Sequence, residues 1–343
     1  MNRHALIRAA LDALSFSGAS RLMPSAPDAS GFVVTLHHVM PLRASSFEPN
    51  ALLSITPDFL DQFIGRFIRR GWRFVSVDEL VDEASKDPKR LAVTLDDGYR
   101  NNLEHAWPVF QKHSAPFTIF VCPGFTERKS ELWWEALARM IGAADSFEMP
   151  GDEPAQMRPT RTPAEKLEMF SEWRAWLTTV VDEAHQRIAI RALAEKHDLD
   201  LPELARLLVM DWDETRRIAA DPLCTIGAHT MTHAALARLA PEAASREIEG
   251  SVERIATEIG KRPTTLAFPY GYPSAAGPRE AKLAERAGLA ASFTTQPGYI
   301  PVSGSRHGLP RVSVNGLFQR VRYLETLLDP GLWKLRNRIR GPR

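Results

Sequence analysis

Short apolar runs alternate along the chain with stretches of helical periodicity, and this alternation restricts the fold more than any other feature of the sequence. Residues 91–98, 117–124 and 223–230 are three such runs, and each closes on Gly, Pro, Asp, His or Thr. A chain of this kind builds βα units around a largely parallel sheet. We therefore predict an α/β fold with its site at the carboxyl ends of the strands.

The alternation stops after the third run. From 125 to 220 helical patterns follow one another without a comparable strand, so we predict an α-helical insertion over these residues. The interrupted fold would then have a first part at 31–124 and a second part at 221–315. Residues 1–30 are predicted to contain an amphipathic helix, and residues 316–343 a helix with a basic tail.

Charge and apolar content exclude several classes of partner. A formal net charge of +1 over 343 residues gives no reason to expect nucleic acid. Arg8 and Asp12 interrupt the apolar start, so we expect no secretory signal and a cytoplasmic protein. No run approaches the roughly 20 apolar residues that cross a bilayer. The basic segment 333–340 leaves peripheral contact with an anionic membrane as the alternative to a solvated tail.

Two adjacent carboxylates follow an apolar strand in Thr94-Leu95-Asp96-Asp97-Gly98. Carboxylates held this close repel each other unless a cation or a proton relieves the repulsion. Gly98 permits the tight turn that lets both face one pocket. The alternative is a solvated Asp-Asp-Gly turn.

Two histidines at a spacing of four, His229 and His233, follow another apolar strand. We predict that a helical turn places both on one face, where their imidazoles converge on one metal ion. With one aspartate they would form a three-ligand set with open positions, as catalytic zinc sites have. The same ligands serve in iron oxygenases, but the strand and helix alternation favours a hydrolase.

The motifs TLDDG, HTMTH and FPYG (residues 268–271), in this order, resemble the three main motifs of the polysaccharide deacetylase family, the NodB-homology family. The resemblance implies a distorted (β/α)7 barrel, here with the helical insertion. It makes Asp96 the general base, and the implied metal ligands are Asp97, His229 and His233. The implied metal is Zn²⁺, with Co²⁺, Ni²⁺ or Fe²⁺ as alternatives. Near the substrate and its oxyanion the resemblance places Tyr270, Pro269 and Tyr99.

The sequence departs from the family pattern at two points. The usual arginine of the third motif is absent, since Ala267 and Phe268 occupy that place, and Arg311 is the candidate to replace it. No late motif supplies a catalytic acid, because His307 lies in a loop-like context. In the branch that deacetylates poly-N-acetylglucosamine the acid lies on the first strand, and this pattern points to His37.

These features predict a metal-dependent hydrolase that removes the N-acetyl group from an N-acetylated amino sugar, such as a chitooligosaccharide. One alternative is a catalytically weak sugar-binding member of the same fold, suggested by the missing arginine. Another is a hydrolase of a different linear amide. Trp133 and Trp134 of the insertion are predicted to be packing residues, with stacking on sugar rings as the alternative.

Overall fold

A computed structural model of the chain describes residues 3–16, 26–42, 45–82, 85–151 and 156–340. Helix α1 occupies Arg3–Phe16, within the segment 1–30 for which the sequence predicts a helix. Residues 17–25 of that segment lie outside the described residues. Among the helices in the described ranges, none is both long enough and apolar enough to cross a membrane.

The strands are short, and most of them belong to one sheet. They are β1 Ala29–Leu36, β2 His38–Val39, β3 Ser54–Ile55, β4 Arg73–Phe74, β5 Arg90–Asp96, β6 Phe117–Val121, β7 Ser146–Glu148, β8 Met157–Pro159, β9 Cys224–Ala228, β10 Thr265–Ala267, β11 Ala291–Phe293, β12 Ile300–Pro301 and β13 Val312–Ser313. Strands β1, β5 and β6 are buried along their whole length, which explains why apolar residues predominate in them without a polar alternation.

The main sheet runs in the order β11-β10-β9-β6-β5-β1, and β13 continues it in parallel beside β1. Leu309, just before β13, forms a parallel bridge with Phe293 of β11. The segment from Leu309 to Ser313 therefore contacts both edges of the sheet and draws it into a ring. This arrangement confirms the predicted distorted β/α barrel. The short strands β4 and β12 pair with β5 and β1 respectively.

The helices cover the outside of the sheet and build the insertion. Besides α1 they are α2 Pro57–Arg69, α3 Val77–Asp82, α4 Trp107–His113, α5 Pro123–Thr126, α6 Trp133–Ala143, α7 Pro163–Ala175, α8 Glu183–Lys196, α9 Leu201–Leu208, α10 Trp212–Ala219, α11 Pro241–Ile259, α12 Pro278–Arg286, α13 Val321–Leu327 and α14 Pro330–Arg340. The side chain of Thr56 caps α2 by accepting a hydrogen bond from the Phe59 amide. Phe59, Phe63 and Phe67, spaced by four, form the buried face of α2.

Helices α6 to α10 occupy the region predicted to be a helical insertion. Helices α6 to α9 share a second hydrophobic cluster with the barrel, whereas α10 packs in the cluster of the barrel itself. The expectation of helices without strands is wrong at one place, because β7 and β8 form an antiparallel hairpin. Each of these strands has three residues, too few to produce a visible alternation in the sequence. Residues 152–155 between them lie outside the described residues.

Candidate active site

A cavity of about 500 Å³ opens at the carboxyl ends of the barrel strands. Its volume lies in the range that holds small organic ligands. Residues that follow β1, β5, β9 and β10 all reach it. Its lining includes His37, Asp96, Asp97, His229, His233, Tyr270, Trp133, Trp134, Arg174 and Tyr272. The two carboxylates and the two predicted histidine ligands are therefore brought to one place.

Asp96 ends β5 and is held by a bidentate ion pair with Arg311. The guanidinium Nη1 and Nη2 donate to the two carboxylate oxygens over 2.7 Å each. Arg311 is fully buried, and its Nε donates to the Thr294 carbonyl over 3.0 Å. Burial by itself would raise the pKa of Asp96, but the charge of Arg311 leads the opposing contributions and the pKa lies below its ordinary value. Arg311 is therefore the arginine that pairs with Asp96, the role for which the sequence suggested it as a candidate.

Asp97 lies in the turn that follows β5, with a left-handed backbone at φ 73°. Gly98 continues the turn at φ 70°, a conformation that favours glycine. Both neighbouring carboxylates line the same cavity. Asp97 is 1% exposed and its Oδ1 accepts no hydrogen bond from the described residues.

His229 and His233 lie on an irregular loop after β9, and the predicted helical turn is wrong. Thr230 and His233 adopt left-handed backbone angles of φ 59° and 61°, which no regular helix contains. Glu247 of α11 fixes the loop by accepting hydrogen bonds from the amide and the hydroxyl of Thr232. The two imidazoles therefore converge because of loop geometry, and their spacing of four does not arise from helical periodicity.

The three side chains predicted to bind a metal face one another. The Nε2 atoms of His229 and His233 each lie 3.3 Å from Oδ1 of Asp97. His229 Nδ1 is 2.8 Å from the Ala267 carbonyl, an acceptor, so this nitrogen carries the proton and Nε2 presents a lone pair. Burial would raise the pKa of Asp97, but interaction with both histidines brings that pKa well below its ordinary value. This donor set fits a divalent metal ion.

His37 lies between β1 and β2, directly after the first strand and not within it. Its half-buried ring lines the cavity beside Asp96 and Asp97. Burial lowers the pKa of His37, and the two carboxylates oppose this shift. Asn102 donates a hydrogen bond to the His37 carbonyl over 2.8 Å and so fixes the backbone at this break. No sequence pattern indicates this role of Asn102.

His38 and His307 do not reach the cavity. The His38 ring stacks on Tyr99 at a centroid distance of 3.6 Å, and its Nδ1 lies 2.8 Å from the Asn101 amide nitrogen. His307 lies beside Ser292 on β11, with its Nδ1 3.3 Å from the serine hydroxyl. The structure therefore places His37, and neither of the other two, beside the carboxylates.

Of the three residues predicted near the substrate, only Tyr270 lines the cavity. The Tyr270 backbone has φ 61°, and its amide donates no hydrogen bond to the described residues. A Cβ at the next position, Gly271, would collide with the backbone nitrogen of Thr295, so the turn requires glycine there. Pro269 is buried away from the cavity.

The prediction that Tyr99 contacts substrate is wrong. Tyr99 is fully buried, and its hydroxyl accepts a hydrogen bond from the Trp134 indole over 3.0 Å. Burial and the neighbouring charge of Asp97 raise the pKa of Tyr99 well above its ordinary value, so the phenol stays neutral. In the same way, Trp133 donates to the Tyr270 hydroxyl over 2.9 Å. Both tryptophans belong to the core and also form part of the cavity wall.

Comparison with protein families gives one match, to the polysaccharide deacetylase model, over residues 83–149 and 176–291. These two ranges together cover slightly more than half of the chain. They contain the two carboxylates, the two cavity histidines and Tyr270, whereas His37 and Arg311 lie outside them. Among curated proteins, none matches the sequence.

Solved structures of similar fold include proteins from three bacteria. The deacetylase PplD of Streptococcus pyogenes, in complex with acetate, has 16% identity and a TM-score of 0.56 over 86% of this chain and 97% of that one. IcaB from Ammonifex degensii has 16% identity and a TM-score of 0.53, covering 89% and 97%. A de-N-acetylase from Aggregatibacter actinomycetemcomitans has 14% identity and a TM-score of 0.54, covering 86% and 99%. Likeness at these identities shows that the fold is shared.

Proposed function

The chain belongs to the polysaccharide deacetylase family, and on this basis we propose that it removes the N-acetyl group from an N-acetylated amino sugar with the help of a divalent metal ion. One observation carries the proposal: two carboxylates lie in the same cavity, and each has a different kind of partner. Asp96 is held by an arginine, while Asp97 faces two imidazoles. This division suits one base and one metal ligand.

Asp97, His229 and His233 would hold the metal ion. Their ligand atoms lie within 4.8 Å of one another, and the Asp97 Oδ1 accepts no hydrogen bond from the described residues although it is buried. Buried carboxylate oxygens without a partner are costly, so a cation is the expected occupant. Two imidazoles and a carboxylate favour Zn²⁺, with Co²⁺, Ni²⁺ and Fe²⁺ as alternatives. Such a cation would polarise the amide carbonyl and acidify a water molecule.

Asp96 would take the proton of the attacking water. Its pKa lies below the ordinary value, so the carboxylate is ionised at neutral pH and ready to accept a proton. The bidentate contact with Arg311 and the hydroxyl of Thr35, 3.2 Å from Oδ2, fix its orientation. A base that cannot rotate away stays aimed at the water throughout the reaction.

Two further groups would act on the substrate amide. The backbone amide of Tyr270, which has no partner among the described residues, would donate to the carbonyl oxygen as negative charge develops. His37, which lines the same cavity, would give a proton to the leaving amine. Asp96 would take one proton of the water, and the second would stay on the carboxyl group of the product, which ionises to acetate on release. Transfer of a proton from Asp96 to His37 would return both groups to their starting states.

A sugar oligomer of the chitooligosaccharide type is the proposed substrate class. The cavity wall carries the aromatic rings of Trp133, Tyr270 and Tyr272, and Tyr272 is 37% exposed. The structural neighbour from Aggregatibacter actinomycetemcomitans is a de-N-acetylase, which supports the same reaction here. The alternative of a weak sugar-binding protein rested on the missing arginine, and the ion pair of Asp96 with Arg311 removes that reason.

The test is acetate release from a panel of N-acetylated amino sugars by the purified, metal-loaded protein. We expect acetate and a new primary amine in equal amounts from the sugar acetamides. Formyl amides and nucleobase amides in the same panel separate the proposal from a hydrolase of other amides. Release from those compounds alone would show that the substrate class is wrong.

The assignment of the acid is tested with two histidine variants. His37→Ala should lower kcat by about 10²-fold or more, the usual contribution of a positioned acid, with metal content unchanged. His307→Ala is the matched control, because this ring lies outside the cavity. A near-normal kcat for His37→Ala, together with an inactive but metal-loaded His307→Ala, would transfer the role to His307.

A further inference from the structure

One arginine of the insertion, Arg174, lines the catalytic cavity without an ionic partner among the described residues. It lies at the end of α7, and its side chain is exposed. Several other arginines of the insertion have ionic partners. Arg158 binds Glu172, and Arg187 and Arg191 both bind Glu131. Arg174 therefore adds to the wall of the catalytic cavity a positive charge that has no ionic partner among the described residues.

The described lining of the cavity contains no carboxylate that could neutralise this charge. Asp96 and Asp97 are the acidic residues of that lining, and both have other partners. Arg311 compensates Asp96, while Asp97 faces the two histidines and, under the proposed function, a divalent cation. The wall near Arg174 thus keeps a net positive potential, which attracts anionic groups.

Among the described residues, the hydroxyl groups next to Arg174 in the cavity wall are already used in hydrogen bonds to the backbone, whereas its guanidinium is not. After α7 the chain forms a π-helical turn at Trp176–Val180, and Thr178 and Thr179 of this turn also line the cavity. Their hydroxyls donate to the carbonyls of Arg174 and Ala175 over 2.8 and 2.6 Å. Since both hydroxyl protons are used inside the turn, an anion here would be bound by the arginine.

We propose that Arg174 binds an anionic group, a phosphate or a carboxylate, that the substrate carries next to its N-acetylated sugar. This inference rests on the proposed deacetylase function and narrows its substrate class from neutral to negatively charged amino sugars. A guanidinium suits both anions, because its planar set of donors matches two oxygens at once. The helical insertion would then select the substrate, while the barrel performs the chemistry.

The experiment compares kcat/KM for charged and neutral substrates of similar size. The neutral compound is N,N′-diacetylchitobiose. The carboxylate compound is a disaccharide of glucuronic acid and N-acetylglucosamine, with its methyl ester as a matched uncharged form. N-acetylglucosamine 6-phosphate represents the phosphate source. Wild-type protein should favour one of the anionic compounds over its neutral counterpart by about tenfold, the usual effect of a charged hydrogen bond.

Arg174→Gln should reduce this preference about tenfold, mainly through KM, and Arg174→Lys should reduce it less. The loss should shrink at high salt, because the site is exposed and screened. The anionic compound whose kcat/KM falls more in Arg174→Gln shows whether the bound group is a carboxylate or a phosphate. An unchanged preference in Arg174→Gln, or a wild-type protein that favours the neutral sugars, would overturn the inference while leaving the deacetylase function intact.

Arg139→Gln is the matched control, since it removes the same charge from an exposed arginine of α6 outside the cavity. Its preference should equal that of the wild type. If Arg139→Gln lost as much of the preference for anionic substrates, the overall positive charge of the insertion would be its cause. This result would overturn a local contact between the anion and Arg174. If no substrate releases acetate, the proposed function fails. Calorimetric binding of glucosamine 6-phosphate to wild type and Arg174→Gln then still tests the anion site, with about tenfold weaker binding expected in the variant.

Discussion

The ion pair between Asp96 and Arg311 joins two residues that are far apart in the sequence. The partners are 215 positions apart, and they meet because β5 and the segment before β13 both reach the same rim. Arg311 also lies over the Phe120 ring, with its Cζ 5.5 Å from the ring centroid. The arginine is enclosed on several sides, which explains why it can hold a carboxylate in a fixed position.

Arg311→Met should destabilise the protein by about 3–5 kcal/mol, because it leaves the buried Asp96 charge without its partner. It should also raise the pKa of Asp96. A base must be ionised, so activity falls as pH decreases through its pKa, and the acid limb of the kcat/KM profile should move to higher pH. Urea unfolding and the pH profile of the metal-loaded enzyme measure the two effects.

Arg262→Met is the control for this change, since Arg262 pairs with Glu253 on the surface with both side chains about half exposed or more. Exposed pairs contribute little to stability, so the control should unfold close to the wild type and keep its acid limb. An Arg311→Met variant that behaves like Arg262→Met would mean that the ion pair neither supports the fold nor tunes the base.

The sequence predicted the residues of this site unevenly. Asp96, Asp97, His229 and His233 lie in contiguous motifs, so the sequence alone marked them. Arg311 had no motif of its own, and only the closure of the barrel shows what it contacts. Tyr99 was misplaced because adjacency to a motif does not fix which way a side chain points after a tight turn.

At the level of elements, the first turn of α6 connects the insertion to the proposed metal site. The Trp134 ring lies 4.9 Å from the ring of His233 and 5.9 Å from Phe125, and its indole donates to Tyr99. Trp134 is 7% exposed, so little of it is free to stack on a sugar. Its main role in this geometry is to pack the insertion against the loop that carries His233.

Trp134→Ala should therefore cost about 3–5 kcal/mol of folding stability, as large core truncations do, and should weaken metal binding because His233 loses its support. Leu167→Ala on α7 is the control, because that side chain is 45% exposed. Denaturant unfolding and metal titration measure both effects. A raised KM with unchanged stability would identify Trp134 as a sugar-stacking surface.

Some elements carry strong signals in the sequence, such as α2, which has a Thr-Pro start and phenylalanines spaced by four. The break between β1 and β2 falls at His37, where no glycine or proline marks the end of a strand in the sequence. A histidine spacing of four is compatible with a helical turn and with the loop after β9, so the spacing could not distinguish them. Left-handed residues such as Thr230 and His233 carry no reliable sequence mark when they are not glycine.

On the scale of the whole molecule, the proposed metal ligands join parts of the chain that are far apart in sequence. Asp97 follows β5, whereas His229 and His233 follow β9, and the insertion lies between them. A bound ion would connect both parts of the barrel across the point where the insertion leaves it. An ion that binds the folded state and not the unfolded chain stabilises the fold by mass action.

Removal of the metal with a chelator should therefore lower the Tm, and readdition of Zn²⁺ should restore it. At a metal concentration about 100 times the Kd the stabilisation is about 2.7 kcal/mol, which corresponds to a shift of about 5 °C for a chain of this size. Differential scanning calorimetry of the protein with and without metal measures the shift. If the protein had the same Tm without metal and with saturating metal, this result would contradict a site built from these three residues.

The same measurement of the metal-dependent rise in Tm can distinguish the proposed metal ligands from the proposed base when it is made on single-residue variants. His233→Ala and Asp97→Asn should abolish the metal-dependent rise in Tm, because each removes one of three ligands. Asp96→Asn should keep the rise and lose activity, since Asp96 is bound by Arg311 and does not belong to the ligand set. If Asp96→Asn abolished the rise as completely as Asp97→Asn, the two carboxylates would share the metal, and the base would have to be sought elsewhere in the cavity.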